Sequence, residues 1–408
     1  MNSPRRVVLL GGGYVTLHAY ARIATRLPRA LRRGDVEIVV ISPDSCHRYH
    51  GFTGELLAGS ISPDRVATPL ADVLPRARII DGTAVGVDPG QRVVTYMPSG
   101  ADGPASLAFD HLVVGTGAHE PTGTVAGLRA TGRTLRSPGD IARLADRVRD
   151  ASSDPVVVIG GGVAGVELAA AIADHGRHVT LVHSRERVLD EWAGRPKLLA
   201  YAEQELARAR VRTRLGVRAV ESDGGEVRLD DGTALPAATV VATIGASPVI
   251  VPGLDGARDD RGRLRTAPDL SVAPGIWAGG DAARVAHPVT GELVPANALW
   301  AMKQGDHIGR TVARALRGRP ARAFGYRGLG RAAAFGVGHG ITEIYGIGLR
   351  GWPAWLLRLG FFLRFMPSRR RAAGVVADLL RASRTAVRPG ADGSSRSARS
   401  ATGEGAAS

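Results

Sequence analysis

The sequence predicts an α/β fold built on two doubly wound parallel sheets, and two segments carry that prediction. Residues 7–20 and 156–172 each contain a run of branched aliphatic residues, then a glycine-rich turn, then mostly small residues. Branched aliphatics that end in such a turn are typical of a buried parallel strand that passes into a helix. Because each segment opens its own strand–turn–helix unit, we expect two separate sheets.

The glycines of these turns predict the kind of ligand. Glycine between a strand and a helix lets the backbone turn sharply and approach a pyrophosphate at the helix N-terminus. Thr16 takes the place of the third glycine in the first turn. The glycines concerned are Gly11 and Gly13 in the first turn and Gly160, Gly162 and Gly165 in the second. Two such turns predict two Rossmann-like units and two bound dinucleotides, between which electrons can pass.

The remaining elements follow from hydrophobic periodicity and turn residues. In chain order, the sequence predicts a helix to about Arg33, strands at 36–41, 77–88, 92–97 and 109–120, a helix at 137–151, a strand at 178–183, a helix at 196–211, a β-rich segment to 248, a strand at 276–285 and a helix at 296–318. The first dinucleotide-binding domain is therefore expected at 1–150 and 256–325, split by the second domain at 151–255. A C-terminal amphipathic region is expected at 326–383, and a disordered tail rich in Ser, Gly, Ala and Arg at 384–408.

Composition limits the function classes. The chain has 408 residues and a formal net charge of +15 that comes mostly from arginine. No nucleic-acid-binding motif accompanies this charge, so we do not expect a nucleic-acid partner. The single cysteine, Cys46, excludes an intrachain disulfide, a paired redox dithiol and a cysteine zinc site. No metal site is expected. Because neither a signal peptide nor a spanning segment is recognised, we expect a cytoplasmic protein.

Several motifs in one order resemble a known group of flavoproteins with two dinucleotide-binding domains, the group that includes glutathione reductase. Within it the chain most resembles the type II NADH dehydrogenases, which pass electrons from NADH through FAD to a quinone. The resemblance extends over about residues 6–380 and is carried by residues 11–19, 47–74, 109–118, 160–172, 276–283 and 324–341. It implies that the first domain binds FAD and that the second binds NADH or NADPH.

The resemblance assigns residues to FAD. Gly11 and Gly13 would approach its pyrophosphate, the backbone at Val85 would lie over the adenine, and Thr116 and Gly117 would turn the chain away from the cofactor. Gly280 and Asp281 form the Gly-Asp motif near the flavin, where Asp281 would bond the ribityl chain. These assignments come from the family pattern and not from spacing alone.

An acid usually ends the second strand of such a unit and binds the adenosine ribose. In the first unit Ser42 stands at that position and Asp44 follows two residues later. Either side chain could bind the ribose, and we expect Asp44 to do so. In the second unit His183 takes the acid's place, and Arg185 follows it. A histidine and an arginine would bind the extra phosphate of NADPH, which a carboxylate would repel. The alternative is a solvated, arginine-rich loop.

Two residues are expected at the acceptor side. In the family, the glutamate that corresponds to Glu167 lies near the nicotinamide and the quinone pocket, where a carboxylate could handle a proton. The alternative for Glu167 is stabilisation of the helix dipole. Gln304 corresponds to a glutamine that lines the quinone pocket, whereas the family's first glutamine is replaced by Leu299. His47 and His50 are expected to be structural.

The segment 348–371 combines tryptophan, leucine and phenylalanine with arginine, a composition typical of a helix in a lipid headgroup region. We therefore expect a peripheral protein on the inner face of the cell membrane, with a quinone or another small molecule as electron acceptor. The alternatives for the segment are packing on the protein's own core and a homodimer. For the acceptor, the alternatives are a soluble redox protein such as a ferredoxin, or a flavoprotein that senses NAD(P)H.

Overall fold

The structure is a computed structural model that describes residues 3–135, 138–149 and 154–386. Its strands are β1 Arg5–Leu10, β2 Val36–Ser42, β3 Cys46–Arg48, β4 Ala67–Pro69, β5 Ala77–Asp88, β6 Val93–Pro98, β7 Ala105–Ala108, β8 His111–Val114, β9 Ala118–His119, β10 Gly132–Arg133, β11 Val156–Ile159, β12 Val179–His183, β13 Arg212–Leu215, β14 Ala219–Ser222, β15 Glu226–Leu229, β16 Ala234–Pro236, β17 Thr239–Ala242, β18 Ser247–Pro248, β19 Leu264–Arg265, β20 Ser271–Ala273, β21 Ile276–Ala278, β22 Ala283–Arg284, β23 Gly330–Ala334, β24 Gly340–Ile344 and β25 Ile347–Arg350. The α-helices are α1 Tyr14–Arg26, α2 Pro28–Arg33, α3 Thr53–Leu57, α4 Leu70–Val73, α5 Leu128–Thr131, α6 Pro138–Arg149, α7 Val163–Ala173, α8 Pro196–Arg208, α9 Ala298–Ala315, α10 Trp352–Phe365 and α11 Arg369–Ala386.

The first sheet has eight strands in the order β20-β21-β8-β1-β2-β5-β6-β7. Its central strands β21, β8, β1, β2 and β5 run parallel, and the aliphatic side chains of β1 and β2 are buried. Because β1 lies between β2 and β8, the chain order reverses beside it. In open α/β sheets, ligands bind in the crevice at the carboxyl ends of the strands at such a point.

The second sheet has five parallel strands in the order β10-β17-β11-β12-β13. Its order reverses beside β11, the strand that leads into the second glycine turn. The two parallel sheets confirm the predicted fold class. The short strand β10 lies within the predicted first domain, yet it pairs with β17 of the second sheet. This pairing places the chain crossing between the sheets earlier than residue 151, and the domain boundaries themselves remain a prediction.

Helices α1 and α9 pack closely on the first sheet because two residues of α9 lack side chains. A Cβ atom at Gly305 would lie 2.5 Å from the carbonyl oxygen of Val15, and one at Gly309 would lie 2.3 Å from that of Ala19. An ion pair joins the same helices, since Asp306 Oδ1 accepts a hydrogen bond of 2.7 Å from Arg22 Nε. This packing fixes α9 against the first glycine turn.

Two helix limits differ from the prediction. The helix expected to reach Arg33 is divided at Leu27, because Pro28 has no N–H to continue the hydrogen-bond ladder. Helix α11 continues to Ala386, two residues beyond the predicted start of the tail. The rest of that tail, from residue 387, lies outside the described residues.

The C-terminal region consists of the antiparallel sheet β23-β24-β25 followed by α10 and α11. Ala333, Phe335 and Ile341 of this region join the core formed by α7, α8 and the second sheet. Helix α11 is held to the first domain by Asp378, whose Oδ2 accepts a hydrogen bond of 2.9 Å from Arg65 Nε. Within the described residues, no helix is both long and apolar enough to cross a bilayer.

Candidate functional site

The first glycine turn joins the carboxyl end of β1 to α1. Gly11 has a φ of 91°, and a Cβ atom on it would lie 2.6 Å from the carbonyl oxygen of Gly115. Gly13 caps α1 without a side-chain hydrogen bond, and a Cβ atom there would meet nothing closer than 3.9 Å. The N-terminus of α1 is therefore open at Gly13, where the positive end of the helix dipole lies, an arrangement that fits a pyrophosphate.

The neighbouring strands bring further predicted residues to the same edge of the sheet. The turn after β8 contains Thr116, whose hydroxyl donates a hydrogen bond of 3.3 Å to Val249 O, and Gly117, with a φ of 69°. At the end of β21, a Cβ atom on Gly280 would lie 3.1 Å from Val15 Cγ2 on α1. Asp281 follows directly, so the Gly-Asp turn and the first glycine turn meet.

Gln304 is buried on α9 and holds this Gly-Asp turn. Its Oε1 accepts a hydrogen bond of 2.6 Å from Gly280 N. The sequence assigned Gln304 to the acceptor pocket, whereas the contact found here makes it a support for the backbone beside Asp281. The predicted role at the acceptor remains a prediction.

The predicted adenosine contacts lie after β2 and on β5, the two strands that follow β1 in the strand order of the first sheet. Asp44 already accepts hydrogen bonds from Arg48 Nε at 2.8 Å and from Cys46 N at 2.9 Å, while Ser42 is buried and donates to Asp44 O. These contacts rigidify the loop after β2. Val85 is exposed at a bulge in β5.

The second glycine turn is more tightly constrained than the first. A Cβ atom on Gly160, with a φ of 115°, would lie 2.3 Å from Thr243 O, and one on Gly165 would lie 1.7 Å from Gly160 O. The hydroxyl of Thr243 donates to Ile159 O and Gly160 O. Gly162 caps α7 without a side-chain hydrogen bond, and a Cβ atom there would meet nothing within 4 Å. This geometry fits a second dinucleotide.

The equivalent of Gly165 in the first unit is Thr16, which is fully buried. Its Oγ1 has no hydrogen-bond partner among the described residues. The first unit thus accommodates a larger residue where the second unit has space only for glycine.

His183 supports the second turn from beneath. Its Nδ1 accepts a hydrogen bond of 3.1 Å from Gly161 N, and burial lowers the pKa of the imidazole below its usual range. A neutral His183 is a weaker phosphate ligand than a charged imidazolium would be. Arg185 is exposed, and Glu186 lies beside Gly216, on the side of β12 away from the glycine turn.

Glu167, on the first turns of α7, is held by two donors at one oxygen. Its Oε1 accepts a hydrogen bond of 2.8 Å from Ala334 N and lies 3.1 Å from Arg358 Nη2. Burial raises the pKa of Glu167, although Arg358 opposes this effect. The arginine also donates to Glu55 Oε1 at 2.7 Å and to Gly51 O at 3.1 Å.

Arg358 and Glu55 were missed as site residues. The sequence predicts a helix at the lipid surface for the segment that contains Arg358, but the side chain of this residue is only 2% exposed. Trp355, Arg358 and Phe362 are spaced by three and four residues, which places them on one helix face. The single charged residue on that otherwise apolar face was the feature of the sequence that could have indicated a buried Arg358. The face packs against Tyr49 and Phe52 of the first domain.

The opposite face of α10 and the preceding hairpin expose large apolar side chains. Tyr345 is 79% exposed, Ile347 69% and Trp352 62%. Together with three less exposed residues they form what we call the C-terminal apolar surface, made of Tyr345, Ile347, Leu349, Trp352, Leu356 and Leu357. Only part of the predicted lipid-facing segment therefore faces outward.

His47 has the structural role expected of it. Its Nδ1 donates to Gly12 O at 3.0 Å, and burial lowers its pKa to about 4. The ring packs edge-on against Tyr14 with 4.8 Å between ring centroids. A neutral histidine therefore secures the first glycine turn.

Comparison with known proteins gives a family match. A family model described as pyridine nucleotide-disulphide oxidoreductase matches residues 5–305. Among curated proteins, the chain is 29% identical to demethylphylloquinone reductase NdbB of Synechocystis over 88% of this chain and 92% of that protein. It is 30% identical to a ferredoxin–NAD(P)(+) reductase of Sphingomonas, over 78% of this chain and 76% of that one.

A type II NADH:quinone oxidoreductase of Mycobacterium tuberculosis is 27% identical over 88% of this chain and 84% of its own length. Among solved structures, NDH2 of Plasmodium falciparum in complex with NADH superposes with a TM-score of 0.83. That superposition covers 93% of this chain and 98% of the other, at 11% sequence identity, and so concerns the fold alone.

Proposed function

The chain belongs to the pyridine nucleotide-disulphide oxidoreductase family, and we propose that it passes a hydride from NAD(P)H to FAD and then electrons to a quinone. The observation that carries this proposal is the pair of open glycine turns, each at the carboxyl edge of its own parallel sheet. FAD, when bound, would supply the two-electron chemistry that side chains lack. Because Cys46 is the single cysteine, no dithiol relay takes part.

The residues at the first crevice would hold FAD. The amides at the start of α1, freed for close approach by Gly11 and Gly13, would bind the pyrophosphate. Asp281 would bond the ribityl chain, and the Gln304 hydrogen bond to Gly280 would keep that carboxylate in place. The adenosine end would lie by Asp44 and Val85, where hydrogen bonds to Asp44 hold the loop after β2, and Thr116 and Gly117 would turn the chain away from the cofactor.

The residues at the second crevice would hold NAD(P)H. Gly160, Gly162 and Gly165 would admit the pyrophosphate to the start of α7, and Arg185 would reach the ribose end. Glu167 lies on this same helix with one oxygen held and its side chain still 18% exposed. We assign to it the handling of a proton as the acceptor is reduced.

The names of two relatives, a demethylphylloquinone reductase and a NADH:quinone oxidoreductase, support a quinone as the acceptor. A second candidate acceptor is a soluble redox protein such as a ferredoxin. It is supported by the ferredoxin reductase relative and by the net charge of +15, which would attract an acidic partner.

One anaerobic experiment tests the function and separates these acceptors. The purified protein, reconstituted with FAD, is expected to be yellow, to bleach on addition of NADH or NADPH, and to recover its colour when a short-chain quinone is added. The second acceptor would be favoured if the colour recovered with ferredoxin and not with quinone, and if the rate of ferredoxin reduction fell steeply with salt. A protein that cannot bind FAD would overturn the proposal.

We expect NADPH to be used at least as well as NADH, because His183 stands in the place of the usual acid and Arg185 follows it near the ribose. Arg185→Ala is expected to lower kcat/KM for NADPH about tenfold, the loss of about 1.4 kcal/mol, with little effect on NADH. Steady-state rates with both nucleotides measure this. Arg187→Ala, two residues further along the same loop, is the matched control. A strong preference of the unaltered protein for NADH would contradict the expectation.

We further propose that the C-terminal apolar surface docks the protein on the inner face of the cell membrane. Its aromatic and aliphatic side chains would enter the headgroup region, and arginines such as Arg350 and Arg364 would meet anionic lipids. A quinone dissolved in that membrane would then lie near the α10 side of the site. The competing use of this surface is a homodimer.

The paired variant Ile347→Ser and Trp352→Ser is expected to weaken binding to anionic vesicles by about 10–100-fold, since each apolar side chain buried contributes about 1.5–3 kcal/mol. Co-sedimentation with vesicles containing phosphatidylserine measures the change. Val289→Ser removes a side chain that is 64% exposed elsewhere and is expected to bind as the unaltered protein does. If the paired variant bound vesicles as the unaltered protein does, the proposed membrane docking would be wrong. If it kept vesicle binding but no longer formed dimers, the homodimer would be favoured.

A further inference from the structure

One buried arginine faces two carboxylates where three distant segments meet. Arg358 comes from α10, Glu55 from α3 and Glu167 from α7, the helix that opens the second dinucleotide unit. Arg358 Nη1 lies 2.7 Å from Glu55 Oε1, and its Nη2 lies 3.1 Å from Glu167 Oε1. The exposed fractions of the Arg358 and Glu55 side chains are 2% and 10%.

The charges of this cluster do not balance when every group is ionised. Two carboxylates and one guanidinium carry a net charge of −1, and an uncompensated charge away from water costs several kcal/mol. Glu55 Oε2 is buried and has no hydrogen-bond partner among the described residues, which is a costly environment for an ionised oxygen. Retaining one proton on the two carboxyl groups brings the net charge to zero.

Within the described residues, Arg358 is the one cation among the groups that chiefly shift the pKa of Glu167, and no further cation is among those that chiefly shift the pKa of Arg358. Several ionisable groups on the neighbouring elements have partners outside the cluster: Arg331 and Arg195 pair with Glu343, Glu205 pairs with Arg208 and His339, His183 binds Gly161 N, and Arg147 binds Ala238 O. Tyr49 faces Arg358, and burial raises its pKa, so it remains a neutral phenol. The Phe362 ring covers the guanidinium at 4.5 Å from its centroid.

We propose that Glu55 and Glu167, which both pair with Arg358, share a single proton. This shared proton is the proton reserve for reduction of the acceptor. The inference rests on the proposed function and adds Glu55 and Arg358 to its site as positioning residues.

The proton balance of quinone reduction gives the reserve its use. Conversion of a quinone to a quinol takes two electrons and two protons. The hydride of NAD(P)H supplies both electrons and one proton, so one further proton must come through the protein. When the Glu167 carboxyl gives its proton to an acceptor oxygen, the cluster returns to a net charge of −1. That charge favours uptake of one proton from solvent, which restores the pair.

Infrared spectroscopy of the full-length oxidised protein, with glutamate carboxyl groups labelled with ¹³C, tests this without any turnover. At about pH 7, well above the usual glutamate pKa of about 4.3, we expect one protonated-carboxyl band. Glu55→Gln is expected to abolish that band, because Arg358 is then free to pair with Glu167 alone. Glu167→Gln is expected to abolish it for the reciprocal reason. The band is first measured in the wild-type protein, so a folding defect in either variant would not remove the test.

Glu343→Gln is the matched control, because at Glu343 one carboxylate meets two arginines, whereas in the cluster two carboxylates meet one arginine. Glu343 pairs with both Arg195, at 2.6 Å, and Arg331, at 2.8 Å, and these arginines lower its pKa although burial opposes them. Its removal is expected to leave the band unchanged. Absence of the band in the wild type, its survival in Glu55→Gln, or half of its intensity in each variant would overturn the shared proton.

A kinetic measurement then connects the pair to the acceptor. Glu55→Gln is expected to slow flavin reoxidation by quinone and to shift the pH at which that step declines downward, whereas flavin reduction by NAD(P)H stays unchanged. If no quinone is reduced while the infrared result holds, the proposed function fails and the shared proton stands.

Discussion

Gly11→Ala is expected to yield protein that loses most of its FAD during purification, with affinity for FAD about 100-fold weaker, equivalent to about 2.8 kcal/mol. The added Cβ atom would lie 2.6 Å from Gly115 O, and alanine does not favour a φ of 91°. Relief of that contact would move β1, β8 or the start of α1, and so would disrupt the pyrophosphate position. The flavin-to-protein absorbance ratio and titration of the apoprotein with FAD measure the loss.

Gly34→Ala is the control that separates the steric contact with Gly115 O from the backbone strain of a positive φ. Gly34 also has a positive φ, 76°, but a Cβ atom there would meet nothing within 4 Å. This variant is expected to lose about 1 kcal/mol of unfolding free energy while it retains FAD. Full flavin content in Gly11→Ala would mean that the first turn does not hold the cofactor.

Gly160→Ala is expected to retain FAD but to lose reduction by NAD(P)H, with KM for the nucleotide raised about 100-fold. A Cβ atom on residue 160 would lie 2.3 Å from Thr243 O and 2.6 Å from Thr243 Oγ1, so the hydroxyl that closes the turn would be displaced. Because the second sheet is separate from the first, the damage should stay in the nucleotide unit. Stopped-flow reduction by NADPH and by dithionite distinguishes the two units.

Gly176→Ala, where the φ is 75° and space is open, is the corresponding control and is expected to be reduced at the normal rate. If Gly160→Ala instead lost its flavin, the two turns would not serve separate ligands. Normal reduction by NADPH in that variant would show that the second turn is not the nucleotide site.

The sequence predicted the parts of the site that depend on residues close together in the chain. A glycine turn between a strand and a helix has its consequences within about fifteen residues, so both turns, both sheets and the order of most elements were predictable. The division of the first helix at Pro28 was equally local in cause, yet it was missed because the apolar pattern continues across it.

The sequence was less informative where a side chain could use more than one partner. The role of Gln304 at the acceptor stays a prediction, but its contact with Gly280, twenty-four residues away in the chain, was not predicted. His183 was expected to bind the extra phosphate of NADPH, but its hydrogen bond from Gly161 N and the burial that lowers its pKa were not predicted. Neither contact has a signature in the pattern of residues, because each depends on the packing of one element upon another.

The sequence by itself determined that this chain folds into two nucleotide-type units without a redox dithiol, because glycine positions and cysteine number are properties of the chain alone. Only the tertiary structure decided which face of α10 turns inward. Apolar residues occur around that helix, so the sequence gives no unique inward face, and Trp352 and Trp355 are equivalent in composition. Phe362 packs on Tyr49 and Phe52, while Trp355 and Arg358 are buried and Trp352 stays outside. That choice brings Arg358 between Glu55 and Glu167, three residues separated by 112 and 191 positions, because a buried guanidinium is stable only where carboxylates from other elements meet it.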